Sequence, residues 1–183
     1  MDHLKRIIFD VDNVLADSIT CWCKKASSHL GYPVSKEDIK SHKIVGSVPM
    51  PPREIFRLQD EVWREWRQLP PTEEDIPEKL LILKNRGFKV YIATSRPLRS
   101  ASLVRNWINH IGIPYDCFYP LGPFKAKAEI NSDFLVDDAP DQILSYIAKE
   151  RTGFLYEQPW NRKVDIPKAV VIHNITELLS YLK

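Results

Sequence analysis

The sequence has no apolar run approaching the roughly 18 residues of a membrane span. It has no excess charge of one sign either. The 26 Lys+Arg and 24 Asp+Glu residues leave a net charge of +2, which excludes the broad basic field of a nucleic-acid coat protein. Cysteine is scarce: Cys21, Cys23 and Cys117 are an odd number with no paired spacing, which argues against a disulfide framework. Two residues apart on a helix, Cys21 and Cys23 point to nearly opposite sides and make a poor chelate. Glycine is low at 6 and proline high at 14, so stiff loops are expected. The start runs from Met1-Asp2-His3-Leu4-Lys5-Arg6 straight into Ile7-Ile8-Phe9 and then acids. It lacks the longer apolar core and small-residue cleavage site of a signal peptide. A reducing, cytoplasmic setting is expected. The 183 residues suit one compact domain carrying an insertion.

Arg6-Ile7-Ile8-Phe9-Asp10-Val11 is a continuous apolar run of the kind buried on both faces of a parallel sheet. Ser18 to Leu30 reads as a helix stopped by Gly31 and Pro33. Ser35 and Asp38 form a capping-box pattern that predicts a short helix to about Lys43. From Arg53 to Leu69 the apolar residues Ile55, Leu58, Val62, Trp66 and Leu69 recur at helical spacing. Helices are also expected over Pro77–Arg86, Pro97–Ile111, Asp141–Lys149 and Ile175–Leu182. Strands are expected over Phe88–Ala93, Cys117–Tyr119, Phe134–Val136, Gly153–Tyr156 and Ala169–Ile172. Strands alternating with helices imply an α/β fold with a parallel, Rossmann-like sheet flanked by helices. A small helical cap is expected after the first strand. The core would then comprise residues 1–13 and 76–183, and the cap residues 14–75.

In open parallel sheets, ligands bind beyond the carboxyl ends of the strands. The first strand ends in Asp10-Val11-Asp12, the second in Ala93-Thr94-Ser95-Arg96, and the fourth in Asp137-Asp138. Carboxylates crowded into one site repel unless a cation or proton intervenes. An oxygen cage from Asp10, Asp12, Asp137 and Asp138 favours Mg²⁺. Asp138, just before Ala139-Pro140 and a helix, could instead act as a helix cap. Thr94 and Ser95 suit either phosphate oxygens at a strand-to-helix turn or capping of the helix after Pro97. Lys125 and Lys127 each suit a phosphate-neutralising role or a solvated surface.

The ordered set resembles the haloacid dehalogenase-like superfamily of phosphotransferases: Ile7-Ile8-Phe9-Asp10-Val11-Asp12, then Thr94 with Ser95, a Lys, and Asp137-Asp138. A closer resemblance is to its 5′(3′)-deoxyribonucleotidase branch. It is carried by Asp10 through Asp17, Thr94-Ser95, Lys127, and Asp137-Asp138-Ala139-Pro140-Asp141. Lys127 fits that branch's spacing and Lys125 does not. Asn13 stands where glycine is usual, and Asn tolerates positive φ better than other non-glycine residues.

The resemblance implies a Mg²⁺-dependent phosphomonoesterase, and in its branch form a 5′-nucleotidase acting on nucleoside monophosphates. Asp10 would be the nucleophile and a metal ligand. Asp12 would be the general acid and base and would offer its backbone carbonyl to the metal. Asp137 or Asp138 would complete the protein ligands. Thr94, Ser95, Arg96 and Lys127 would bind the phosphate. The acid at position 12 argues against dehalogenation. Trp22, Arg53, Phe56, Arg57, Trp63, Arg64 and Trp66 are candidate cap contacts, with Trp66 also suited to the core. The loop Tyr156–Arg162 suits either the cleft wall or plain packing. His29, His42, His110 and His173 have no chelating spacing. Other readings are a phosphatase for a sugar phosphate, phosphoserine or phosphoglycolate, a nucleic-acid 3′-phosphatase, and a non-catalytic binding module of the same fold. The expected partner is a small phosphomonoester, with no membrane and no strong nucleic-acid signature. The sequence leaves oligomeric state open.

Overall fold

The computed structural model describes residues 4–123 and 125–183. Strand β1 (Arg6–Phe9) lies at the centre, and Ile7, Ile8 and Phe9 are fully buried. Side chains alternate across a strand. Accordingly Ile7 and Phe9 enter one hydrophobic cluster and Ile8 enters another on the opposite face. A strand covered on both faces needs no polar alternation, which is why this run is continuously apolar.

Strands β2 (Lys89–Thr94), β3 (Cys117–Pro120), β4 (Phe134–Asp137), β5 (Thr152–Tyr156) and β6 (Val170–Ile172) complete the sheet. All pairings are parallel and the order is β3-β2-β1-β4-β5-β6. The chain builds outward from β1 to β3, then returns to lay β4 on the other side of β1. The switch point therefore falls between β1 and β4, where α/β sheets bind their ligands. Phe9 pairs with Val136, and the Asp10 amide donates to the Val136 carbonyl at 2.9 Å. Asp10 and Asp137 thus come abreast at the end of the sheet.

The larger cluster takes in buried residues of α3 (Ile76–Asn85), α4 (Ala101–Ile111) and α6 (Ile175–Tyr181). The smaller one takes in Ile143 and Tyr146 of α5 (Pro140–Ile147). Between β1 and β2 the chain is helical, with α1 (Ser18–Leu30) and α2 (Pro52–Arg64) packed together. Their buried residues Ile19, Trp22, Ile55, Leu58 and Trp63 join the same cluster as Ile7 and Phe9. The two chain crossings beside these helices run together. The Asp17 amide donates to Pro70 at 2.9 Å, the Thr72 amide to Leu15 at 2.8 Å, and the Thr72 hydroxyl to Val14 at 2.6 Å.

Three local expectations change. The capping box at Ser35 and Asp38 is present, but it opens only a 3₁₀ turn over Lys36–Asp38. Ile39 leaves helical space because its side chain is drawn into the core. The helix expected over 53–69 ends at Arg64 and tightens into a 3₁₀ turn over Trp66–Gln68. That tightening keeps Leu69 buried ahead of Pro70-Pro71. Consequently Trp63, rather than Trp66, is fully buried. Trp66 is half-buried and sits edge-on to His110 at 5.5 Å. Helix α4 likewise starts at Ala101, after a 3₁₀ turn over Leu98–Ser100.

Candidate active site

Asp10, Asp137 and Asp138 converge at the switch point. Each offers a carboxylate oxygen within 4.8 Å of the others, and all three are buried. Lys127 reaches in from a 3₁₀ turn over Lys127–Glu129, with only 2% of the residue exposed. Its Nζ donates to Asp10 Oδ1 at 2.6 Å and to Asp137 Oδ2 at 2.5 Å. Burial works to lower the Lys127 pKa, but the two carboxylates outweigh it and hold the ammonium charged. Lys127 therefore belongs to the acid cluster rather than to the solvated surface.

Burial raises the Asp10 pKa to about 7, with Lys127 opposing and Asp137 and Asp12 adding to the rise. Asp138 is driven well above the usual carboxylate range, chiefly by burial and then by Asp137 and Asp10. Asp137 Oδ1 accepts the Ala139 amide at 2.9 Å, so this acid, not Asp138, holds the turn into α5. Asp138 Oδ2 is buried without a hydrogen-bond partner among the described residues. An orphaned buried carboxylate oxygen costs several kcal/mol unless a proton or cation meets it. A hard divalent cation among these oxygens fits both the orphaned atom and the charge surplus.

Asp12 is placed differently. Its carboxylate lies outside the cluster and accepts from Trp63 Nε1 at 2.9 Å and Arg96 Nη1 at 3.3 Å, both on Oδ1. Thr94 is buried, and its hydroxyl accepts the Arg96 amide at 3.2 Å. Ser95 lines the cleft, and its buried hydroxyl has no partner among the described residues. Neither side chain caps α4. Arg96 turns its guanidinium toward Asp12, Gln59 and Asp60.

These groups sit at one end of a cavity of about 830 Å³. Trp22, Ile44, Val45, Phe56 and Val62 form an apolar wall, while His42 and Lys43 come from the segment after Ile39. His42 Nε2 lies 3.4 Å from Asp141 Oδ1. Trp22, Phe56 and Trp63 border the cavity as expected, whereas Arg53, Arg57, Arg64 and Trp66 do not line it. Arg57 is held along α2 by Glu54 and Glu61. A cavity of this size with apolar walls and a polar end suits a small organic ligand.

The loop Tyr156–Arg162 supports the site from behind instead of lining it. Gln158 Nε2 donates to the Asn13 carbonyl at 2.8 Å, and Asn161 Nδ2 to the Asp138 carbonyl at 2.8 Å. Sequence reasoning gave these two amides no role. Their signal, two buried amide side chains after a strand, becomes readable only once the fold brings 145 residues of chain separation together. Asn13 itself adopts φ +63°. Its side-chain oxygen accepts the Ile19 amide at 3.0 Å and the Ser18 hydroxyl at 3.2 Å, so it caps the start of α1, where Asp17 makes no side-chain cap. Asn13→Gly is expected to lose that cap, costing about 1 kcal/mol. Asn13→Ala is expected to cost about 1–2 kcal/mol more through left-handed strain. Denaturant unfolding of the two variants checks the order.

The profile of the family described as "5′ nucleotidase, deoxy (Pyrimidine), cytosolic type C protein" matches residues 4–180. No curated protein matches the sequence. Among solved structures, the chain is similar to a haloacid dehalogenase-like hydrolase from Streptococcus pneumoniae, at 18% identity and a TM-score of 0.66, with all of both chains covered. It is similar to a HAD-superfamily hydrolase of subfamily IA from Geobacter sulfurreducens, at 18% identity and 0.64, covering 98% of this chain and 97% of that one. It is also similar to a predicted phosphoglycolate phosphatase from Haemophilus somnus, at 12% identity and 0.66, with full coverage of both chains. At these identities the likeness is one of fold.

Proposed function

The chain belongs to the 5′ nucleotidase, deoxy (pyrimidine), cytosolic type C family of haloacid dehalogenase-like phosphatases, and we propose that it is a Mg²⁺-dependent 5′-nucleotidase working through an aspartyl-phosphate on Asp10. The observation that carries this reading is the convergence of Asp10, Asp137, Asp138 and Lys127 at the β1/β4 switch point, with Asp12 turned aside from the cluster. Residues 14–75 act as the cap, whose apolar wall receives the nucleoside while the phosphate meets the acids.

Asp10, Asp137 and Asp138, with the Asp12 carbonyl, would hold the cation. When bound, it supplies the positive charge that lets an anionic nucleophile approach an anionic phosphate. An Asp10 carboxylate oxygen forms a bond to phosphorus in line with the ester oxygen. The P–O ester bond breaks, and its electron pair goes to the leaving oxygen, which takes the proton of Asp12. Water then attacks phosphorus, Asp12 takes a proton from it, and Asp10 is released with inorganic phosphate. Lys127 and the groups around Thr94 and Ser95 stabilise the equatorial oxygens.

The test is a hydrolysis assay over deoxynucleoside, nucleoside, sugar, glycolate and amino-acid phosphates, with Mg²⁺ and with EDTA. Turnover only with Mg²⁺ and highest on deoxynucleoside 5′-monophosphates is expected. Full activity in EDTA would overturn the metal assignment, and a strong preference for a non-nucleotide would overturn the substrate class.

A further inference from the structure

We infer that Trp63, assisted by Arg96, is a positioning residue for Asp12. Together they hold one carboxylate oxygen so that the other carries the proton delivered to the leaving group. The inference rests on the proposed role of Asp12 as general acid.

Both donors converge on Oδ1: the Trp63 indole N–H at 2.9 Å and the Arg96 guanidinium at 3.3 Å. An oxygen already accepting from two N–H groups is a poor place for a proton. The acid's single O–H is therefore directed to Oδ2. The Asp12 side chain is 25% exposed and lies just past the end of β1. Left alone it would sample several staggered orientations.

Trp63 is suited to holding it. Although its edge borders the cavity, the residue is 0% exposed, and its one polar group, the indole N–H, is engaged with Asp12. It is braced from behind by Trp107, edge-to-face at 6.1 Å, whose own indole N–H donates to the Leu69 carbonyl at 2.8 Å. Arg96 is steadied in turn. Its guanidinium lies 5.2 Å from the Trp63 ring and donates to the Gln59 carbonyl at 3.3 Å. The shorter bond, from the more rigid group, makes Trp63 the principal holder. Because Trp63 belongs to α2, the alignment of a core acid depends on how the helical insertion is seated.

Protonating the leaving oxygen matters when that oxygen is a poor leaving group, as in an alkyl ester, and little when it leaves unaided. A residue that aligns the proton therefore has a leaving-group signature that a merely structural residue lacks. Trp63→Phe keeps an aromatic ring against Trp107 and removes the N–H. With a deoxynucleoside 5′-monophosphate, kcat is expected to fall about 10-fold or more, a share of the 10²–10⁴ typical of general acid catalysis, with KM changed less than about 3-fold. With p-nitrophenyl phosphate the loss should be several-fold smaller. Arg96→Met should show the same asymmetry on a smaller scale, and it serves as the test if the Trp63 variant does not fold. Equal losses on both substrates, a change in KM alone, or no change would overturn the inference. Failure of the parent reading would look different: Asp10→Asn would still turn over both substrates.

Discussion

Replacing Asp10 by Asn is expected to abolish turnover, lowering kcat by at least about 10⁴-fold, because a carboxamide oxygen cannot serve as the nucleophile. The fold should survive. The substitution is nearly isosteric, and the amide oxygen still accepts from Lys127 Nζ, which now lies 2.6 Å from Asp10 Oδ1. Stability of the metal-free protein should even rise. Burial holds the Asp10 pKa near 7, above its unfolded value, so folding favours the protonated acid. A carboxylate raised in this way contributes stability fully present below about pH 4, and loses it as pH climbs through about 7. The neutral amide carries no such penalty. Thermal melts of metal-free wild type and Asp10→Asn at pH 5 and pH 8 check this. The gap should be small at pH 5 and open in favour of the variant at pH 8. Wild-type turnover in the variant would remove Asp10 from its assigned role.

Lys127→Met carries the second large effect, with the opposite sign on stability. Lys127 is the only described cation that bridges Asp10 and Asp137, and it does so almost fully buried. Removing it leaves carboxylates packed against one another without compensation. Breaking a buried pair from one side costs about 3–5 kcal/mol, or roughly 6–20 °C in Tm for a chain of this length. The pH dependence follows from the carboxylates left behind. With Lys127 gone, Asp10 and Asp138 lose the charge that opposes their upward shifts, so the variant gains stability as pH falls and they take up protons. The Tm deficit should therefore be largest at pH 8 and shrink toward pH 5. Added Mg²⁺ should recover part of it by binding the folded state alone. Turnover should drop about 10²–10³-fold through loss of the fixed charge near the equatorial oxygens. A deficit independent of pH and of Mg²⁺ would mean that Lys127 contributes only packing.

The first expectation concerns a residue that the sequence exposed by its position at a strand end, the second a residue in a turn between strands. Asp10 and Asp137 were legible because a continuous apolar run followed by acids is the local signature of a buried parallel strand opening into a site. Lys127 was singled out from Lys125 only by the spacing of the family it resembles, and its burial between Asp10 and Asp137 was not legible. The short helix expected after Ser35 failed for a related reason. The capping box formed, but the pull of the core on Ile39 outweighed the local preference to continue. Trp63 shows the same limit from the other side. The spacing put Trp66 on the core stripe and left Trp63 off it, yet with the change from α to 3₁₀ geometry after Arg64 it is Trp63 that is buried and Trp66 that is half-buried.

The sequence by itself determined what short-range periodicity carries: six strands, the helices between them, the helical insertion after β1, and the acids at the strand ends. Tertiary structure alone decided which oxygens face one another. The Asp12 carboxylate turns to Trp63 and Arg96 while Asp138 is left with a buried, unpartnered oxygen. Gln158 and Asn161 reach back to brace Asn13 and Asp138. The physical reason is that side-chain direction along one element follows from a local repeat. Convergence at a switch point depends instead on strand order, register and the packing of residues far apart in the chain.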